Sequence, residues 1–230
     1  MGTKPSNLEL LDHLSIEFIR NNWSIKSLVR EIMNSQTYQM DSKNDSDKIT
    51  KDPENIFLWK QNSRRLDAEA IRDTILYISG NLQTSEGGPS IKPGTKTEYG
   101  YVFKSSKRSV YNPVFRNTLP EIMQVFDFAD PNMVTGKRTS SSVPTQALYM
   151  LNNSFIRDNS MNAAKKLIQD NNTDNSSKID NAYKKVLGRM ASPNERQIIQ
   201  DYLTSQEDEL KAWGNVFQSL FSSIDFRFVN

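Results

Sequence analysis

Apolar residues recur every three or four positions along most of this chain, the spacing of an amphipathic helix rather than a strand. Leu10, Leu11, Leu14 and Phe18 predict a helix over 8–20. Ile25, Leu28, Val29, Ile32 and Met33 predict a second, to about Tyr38. Ser24 is placed to cap its free N–H groups, and Trp23 to staple on Leu28. The stretch MDSKNDSDKITKD lacks apolar periodicity and reads as a surface loop, after which Asp52-Pro53 reads as a helix start. Ile71, Ile75, Ile78 and Leu82 mark the clearest helix of the first half, in RRLDAEAIRDTILYISGNL.

From Thr84 to Ser106 the texture changes. Gly87-Gly88-Pro89, Pro93-Gly94 and Gly100 break regular structure, so loop with short strands is expected, and Ser109-Val110-Tyr111 reads as another short strand. Leu119, Ile122, Met123 and Phe126 then give a helix ending near Asp127, followed by the loop FDFADPNMVTGKR. A helix begins near Pro144 with Ala147, Leu148 and Leu151 as its apolar residues, and another runs from Ser154 to Ile168. DNNTDNSS is a polar linker. Ile179, Tyr183, Val186 and Leu187 form a helix stopped by Gly188, and Ser192-Pro193-Asn194-Glu195 is a capping box. Leu210, Trp213, Phe217, Leu220, Phe221 and Ile224 keep helical spacing and read as core. The fold expected is mainly α: a multi-helix domain with short strands and long loops in the middle, about 84–113. One helical domain over 1–230 is expected, with a small helical subdomain over 177–230.

Composition narrows the chemistry. Net charge is +2 and the pI about 8.6, which argues against a field covering the whole molecule for nucleic acid. Between Lys92 and Arg116, however, six basic residues face one acidic, interleaved with Tyr99, Tyr101, Phe103, Tyr111 and Phe115. Basic and aromatic residues together are a pattern of polyanion binding. They also describe half-buried strands with solvated lysines, the expectation here because no nucleic-acid fold pattern surrounds them. There is no cysteine, so thiolate catalysis, zinc-thiolate sites and covalent haem attachment are out of reach, and no cofactor is expected in this chain. No apolar run approaches the roughly 18 residues of a membrane span, and no targeting signal is visible.

The only histidine, His13, lies about 200° around its helix from Leu11 and reads as a surface imidazole. Ser-His-Asp chemistry is therefore close to excluded. Paired-carboxylate hydrolysis is not. Asp127 and Asp130 are three apart in a loop; Glu69 and Asp73 are one helical turn apart. A glycosidase needs two carboxyls about 5 or about 6.5–9.5 Å apart across a substrate. Calcium at Asp127 and Asp130 would lack the EF-hand spacing, and no metal site is expected. Arg65, Glu69, Arg72 and Asp73 fall within about 100° on the face opposite the isoleucine stripe. Arg65 and Glu69 read as an i,i+4 pair, and the arc as a solvated face or one wall of a polar cleft. Arg108, Arg116 and Arg138 are the candidates for holding an anionic group, because a guanidinium fork grips carboxylate, sulfate or phosphate through two bonds. The same arginines are candidate partners of the carboxylates, and Arg108 and Arg138 are expected near Asp127 or Asp130.

The strings LELLDHLSIEFIRNNWSIKSLVREIMNSQTYQ, DPENIFLWKQNSRRLDAEAIRDTIL, GGPS, KRSVYNPVFRN, FDFADPNMVTGKR, VPTQALYMLNNSFI, AYKKVLGR and FVN together resemble the planctomycete-specific domain one family. That family is the C-terminal domain of large bacterial proteins whose N-terminal parts carry cytochrome-c-like and related domains. The resemblance spans nearly the whole chain. It departs at His13, where members usually carry tryptophan, and before Leu8, where members continue further, so that Met1 is expected to mark a truncated product. It implies an architecture and a neighbourhood (periplasm or cell envelope, with redox or polysaccharide-related partners), without a settled reaction. The expected partners are the other domains of the full-length protein, haem-bearing ones included, and an anionic glycan, sulfated or uronic; nucleic acid is not expected. The functional expectation is thus a C-terminal helical module of an envelope protein that binds such a ligand. The alternative is a polysaccharide-acting enzyme with paired carboxylates.

Overall fold

The computed structural model describes residues 4–84, 88–91, 93–136, 138–169 and 174–229. The expectations for Gly87, Lys92 and the first part of the polar linker, 170–173, lie outside them. The fold is mainly helical. Two compact units divide between Arg64 and Arg65, where a single domain was expected.

The first unit holds α1 (Leu8–Arg20), α2 (Ile25–Asn34) and α3 (Ser46–Lys51). Helix α1 ends in a turn that places Asn22 at φ +52°. The Trp23 N–H then bonds the Phe18 carbonyl at 2.9 Å, and the two rings meet edge-on at 5.3 Å. Trp23 therefore packs back on Phe18 instead of forward on Leu28, as the hydrophobic contact that accompanies this helix end. Ser24 caps α2 as expected, through the N–H of Ser27. Helix α2 stops four residues before Tyr38, because the Ser35 hydroxyl bonds the Ile32 carbonyl and accepts the Tyr38 N–H.

Helix α3 overturns a loop expectation. Asp45 caps it by accepting from the N–H groups of Asp47 and Lys48. A helix of six residues with Ile49 as its only large apolar side chain leaves no periodic signal. Asp52 closes α3 rather than opening a helix at Pro53, and its carboxylate accepts from the N–H groups of Ile56 and Phe57, both at 2.9 Å.

The second unit begins within β1 (Arg64–Arg65) and holds α4 (Ala68–Ser79), a 3-10 turn (Ser109–Tyr111), α5 (Glu121–Val125), α6 (Pro144–Asn152) and α7 (Ser154–Gln169). It continues through α8 (Asn175–Leu187), α9 (Pro193–Thr204), α10 (Glu209–Ser222), α11 (Ile224–Arg227) and β2 (Phe228–Val229). Helix α7 is the centre, with α4 and α10 packed on it and α6, α8 and α9 around α10. The core joins Ile71 and Ile75 of α4, Ile156 and Ala164 of α7, Ile179 of α8 and Trp213, Phe217 and Phe221 of α10. The stretch 177–230 thus shares one core with the rest of this unit. Gly214, in the middle of α10, allows the closest approach: a Cβ there would lie 2.3 Å from Met161 Sδ on α7.

Four expectations about elements change. Strand pairs form at the two ends of the unit, β1 with β2, and not in 84–113. There the only bridge among the described residues joins Gln83 to Lys107. The reason is competition: the carbonyls of Ser105 and Lys107, which a partner strand would need, are taken by Arg72. Ser109–Tyr111 is a 3-10 turn, because the Ser109 N–H is held by the Asp73 carboxylate at 2.9 and 3.0 Å. Helix α6 is rotated from its expected phase: Gln146, Tyr149 and Met150 are buried, while Leu148 and Leu151 are more than half exposed. Ile224 does not extend the last core helix either; Ser223 interrupts α10 and caps α11, leaving Ile224 exposed. The capping box at Ser192 and Glu195 forms with both bonds, and Gly188 ends α8 at φ +70°.

Candidate functional site

Six of the charged residues singled out from the sequence fall into three separate networks in the second unit. The first encloses Asp127. Helix α5 ends at Phe126, and Asp127 sits at φ +56°, a left-handed position that glycine usually fills. The Phe128 N–H returns to the Met123 carbonyl at 2.9 Å, completing the turn. The Asp127 carboxylate accepts from the Ser141 N–H at 2.8 Å and from the Ser141 hydroxyl, and pairs with Arg65 at 2.9 Å. Arg65 is buried. It also donates to the Ser141 carbonyl at 3.0 Å and the Phe126 carbonyl at 3.2 Å, over the Phe126 ring. Gln146, fully buried, donates to the carbonyls of Val125 and Ser141. The two ends of the long polar loop are thus fastened together by Asp127 and Ser141. Burial pushes the Asp127 carboxyl up, but the Ser141 bonds and the Arg65 charge outweigh it and leave it below its ordinary value.

The second network is wound around Arg72. Its guanidinium donates to the carbonyls of Ser105 and Lys107, to the Ser109 hydroxyl and to Asp73 at 3.1 Å. Asp73 in turn holds the N–H and hydroxyl of Ser109. Burial lowers the Arg72 pKa against the opposing pull of Asp73. The third is a single pair: Arg138 grips Glu69 with bonds of 2.8 and 2.9 Å and lies 5.1 Å over the Phe128 ring.

These contacts redraw the expected pairs. Arg65 pairs with Asp127, not with Glu69; it precedes α4, so helical geometry does not govern it. Arg138 pairs with Glu69 instead of Asp127 or Asp130. Arg108 and Arg116 have exposed side chains without an ion pair among the described residues. Asp130 caps its own turn through the N–H and side-chain amide of Asn132, and the Arg116 carbonyl takes the same amide at 3.2 Å. The arc of Arg72 and Asp73 does face the stretch beginning near Lys107, but as a buried clamp and not as a solvated face. His13 is an exposed imidazole 3.4 Å from Glu31.

This unit carries an open cleft of about 760 Å³. Tyr101 and Phe103 form one wall, and their rings pack edge-on against each other at 5.0 Å, with Phe115 behind Tyr101 at 5.1 Å. Helix α5 contributes Glu121, α6 contributes Tyr149, and α7 contributes Asp158 and Asn159; Lys104 and Asn112 are among the other polar residues of the lining. Glu121 accepts from the Asn153 amide at 2.8 Å. Asn159 is fixed by the Ser79 hydroxyl at 2.7 Å and the Asn81 amide at 2.8 Å. Arg72 lies in the lining with both of its Nη groups already engaged. Of the charged candidates singled out from sequence, Arg72 alone reaches this cleft, whereas Tyr101 and Phe103 of the basic and aromatic stretch form its wall. Tyr149, Asn112, Glu121 and Asp158 were missed, since an amide, a phenol on a helix and isolated carboxylates carry no motif.

The fold is a helical domain with an open cleft of polar and aromatic lining, beside which the arginine–carboxylate pairs tie loops to helices. Among the described residues no group of three His, Asp or Glu side chains is placed to hold a metal ion, and no helix is long and apolar enough to cross a membrane. The chain belongs to the PSD1 family, described as protein of unknown function (DUF1553), which matches residues 1–203. No curated protein and no solved structure matches the chain.

Proposed function

We propose that this chain is a glycan-binding module and that its ligand lies in the cleft walled by Tyr101 and Phe103. The observation that carries the reading is the joining of half-buried aromatic rings to polar side chains in a cavity of about 760 Å³. A sugar ring has an apolar C–H face and an equatorial rim of hydroxyls, so it needs both kinds of surface side by side. Lys104 and Arg72 balance Glu121 and Asp158 in the lining, and Arg72 is already committed. That balance favours an uncharged sugar over the sulfated or uronic one. The anionic ligand stays as the second reading on a different observation, the exposed and unpaired Arg108 and Arg116. The polysaccharide-acting enzyme also keeps one observation: Glu121 and Asp158 share the cleft, and among the described residues the one arginine paired with either is Arg157, 3.9 Å from Asp158.

The partners proposed are other domains of a planctomycete-type envelope protein, haem-bearing ones included. The support is the resemblance together with the first unit, whose Leu8, Leu11, Ile25 and Val29 stand exposed. A glycan array carrying neutral, sulfated and uronic-acid oligosaccharides, with product analysis of the same mixtures, tests the whole reading. Neutral glycans should be retained unchanged, and Phe103→Ala should abolish retention. Retention confined to sulfated or uronic members and insensitive to Phe103→Ala would transfer the site to Arg108 and Arg116. Shortened products would make the chain an enzyme.

A further inference from the structure

In the first unit Phe57 is 83% exposed, and the backbone that carries it is bonded from inside. Asp52 and Asn55 are both buried. The Asp52 carboxylate accepts from the N–H groups of Ile56 and Phe57, and its carbonyl accepts from the Trp59 indole at 3.0 Å. The Asn55 amide donates to the Lys60 carbonyl at 2.8 Å. Leu58 sits at φ +53°, a left-handed position that a leucine keeps only where its surroundings enforce it. The loop thus presents one large ring to water on a fixed support. A lone exposed apolar side chain calls for no explanation, but this one has apolar ground beside it. It stands on the rim of an open hollow of about 570 Å³, whose apolar lining is Leu10 and Leu14 of α1, Ile32 of α2, Tyr38 and Leu58. With Leu10 and Ile56 it also borders a smaller hollow of about 360 Å³.

A knob and a hollow on one surface are self-complementary. A two-fold axis beside them places the ring of each copy in the hollow of the other, and the contact closes at two copies instead of running on into a fibre. Charge does not oppose it: over residues 1–64 nine Lys or Arg match nine Asp or Glu. The same balance removes the attraction that would hold this surface to an anionic membrane. His13 and Glu31, the charged groups of the hollow, already face each other at 3.4 Å, so closing the contact does not isolate Glu31. We propose that the hollow between α1 and α2 receives Phe57 of a second copy of this chain, making the protein a two-fold dimer through its first unit. Phe57 is the central anchor of that contact, an aromatic side chain on a rigid loop that loses little freedom on binding. Leu8, Ile25 and Val29 line neither hollow and stay open to other partners.

The test is light scattering coupled to size exclusion on the intact chain, over a dilution series from high to low micromolar. The wild type should run as a dimer at the top of the series. Phe57→Ala should weaken the dimer at least roughly 30-fold, the loss of a central aromatic anchor. Its far-ultraviolet circular dichroism should be unchanged, because the ring is exposed in the single copy. Leu10→Asp, in the hollow itself, should act in the same direction. The chain has no cysteine, so introduced thiols report the geometry. A mixture of Phe57→Cys and Leu10→Cys should form a disulfide-linked dimer under mild oxidant faster than either variant alone. A wild type that stays monomeric throughout the series would overturn the inference. So would a dimer that Phe57→Ala leaves intact, or a mixture that links no faster than its components, since the two copies would then meet elsewhere.

Discussion

At the scale of single residues, burial separates arginines that look alike in the sequence. The Arg65 side chain is 4% exposed and that of Arg138 is 39% exposed, although both grip a carboxylate within 3 Å. Removing one partner of a buried pair strands a charge and costs about 3–5 kcal/mol; an exposed pair contributes about 0–1 kcal/mol. Arg65→Ala is therefore expected in the first range and Arg138→Ala in the second, by urea unfolding. In double-mutant cycles, Arg65 and Asp127 should couple, while Arg138 and Asp127 should be additive. Equal costs for the two arginines would show that burial does not decide. Asp127 adds a dependence on pH. Its folded pKa lies below the unfolded value of about 3.9, so its contribution is present above that value and is lost as pH falls through the folded one. The stability gap between wild type and Asp127→Asn should be constant near neutrality and shrink below about pH 4.

At the scale of elements, α10 decides the second unit. Trp213 and Phe217 are each 1% exposed, and their periodicity in the sequence already places them on one face. Trp213→Ala should cost about 3–5 kcal/mol, read from the urea midpoint. Gly214 beside it is a poor helix residue, kept where α10 meets α7. Gly214→Val should destabilise by about 1–3 kcal/mol through overpacking. A midpoint equal to wild type would mean that Met161 swings clear. Helix α6 shows the limit of pattern reading. Its nine residues carry apolar side chains on more than one face, so the choice between Leu148 and Met150 rests on what packs against them. Gln146 tips the balance by filling two buried carbonyl acceptors.

At the scale of the whole chain, the two units differ in what holds them. The second has a continuous apolar core; the described helices of the first contain no buried residue at all. The first unit is held by local bonds such as those of Asp52 and Asn55. Amides of α1 and α2 are therefore expected to exchange with deuterium well before those of α4, α7 and α10, since local opening is cheapest where few apolar contacts are lost. Equal protection in the two units would show that the apolar faces of α1 and α2 are covered in solution.

What the sequence determined by itself is whatever rests on local rules. The long helices, the Ser192 capping box, the Gly188 stop and the core role of Trp213 and Phe217 all follow from spacing and backbone chemistry within a few residues. What only the tertiary structure decided is every partnership across the chain. Asp127 meets Arg65 from 62 positions away because a buried guanidinium needs a counter-charge and the fold brings that one. Arg72 turns an expected strand into an ordered coil by taking its carbonyls. Tyr149 and Asn112, 37 positions apart, enter one cleft only when α6 and the 3-10 turn are both in place. No period or motif links such pairs, because their contact is set by the packing of whole elements and not by their distance along the chain.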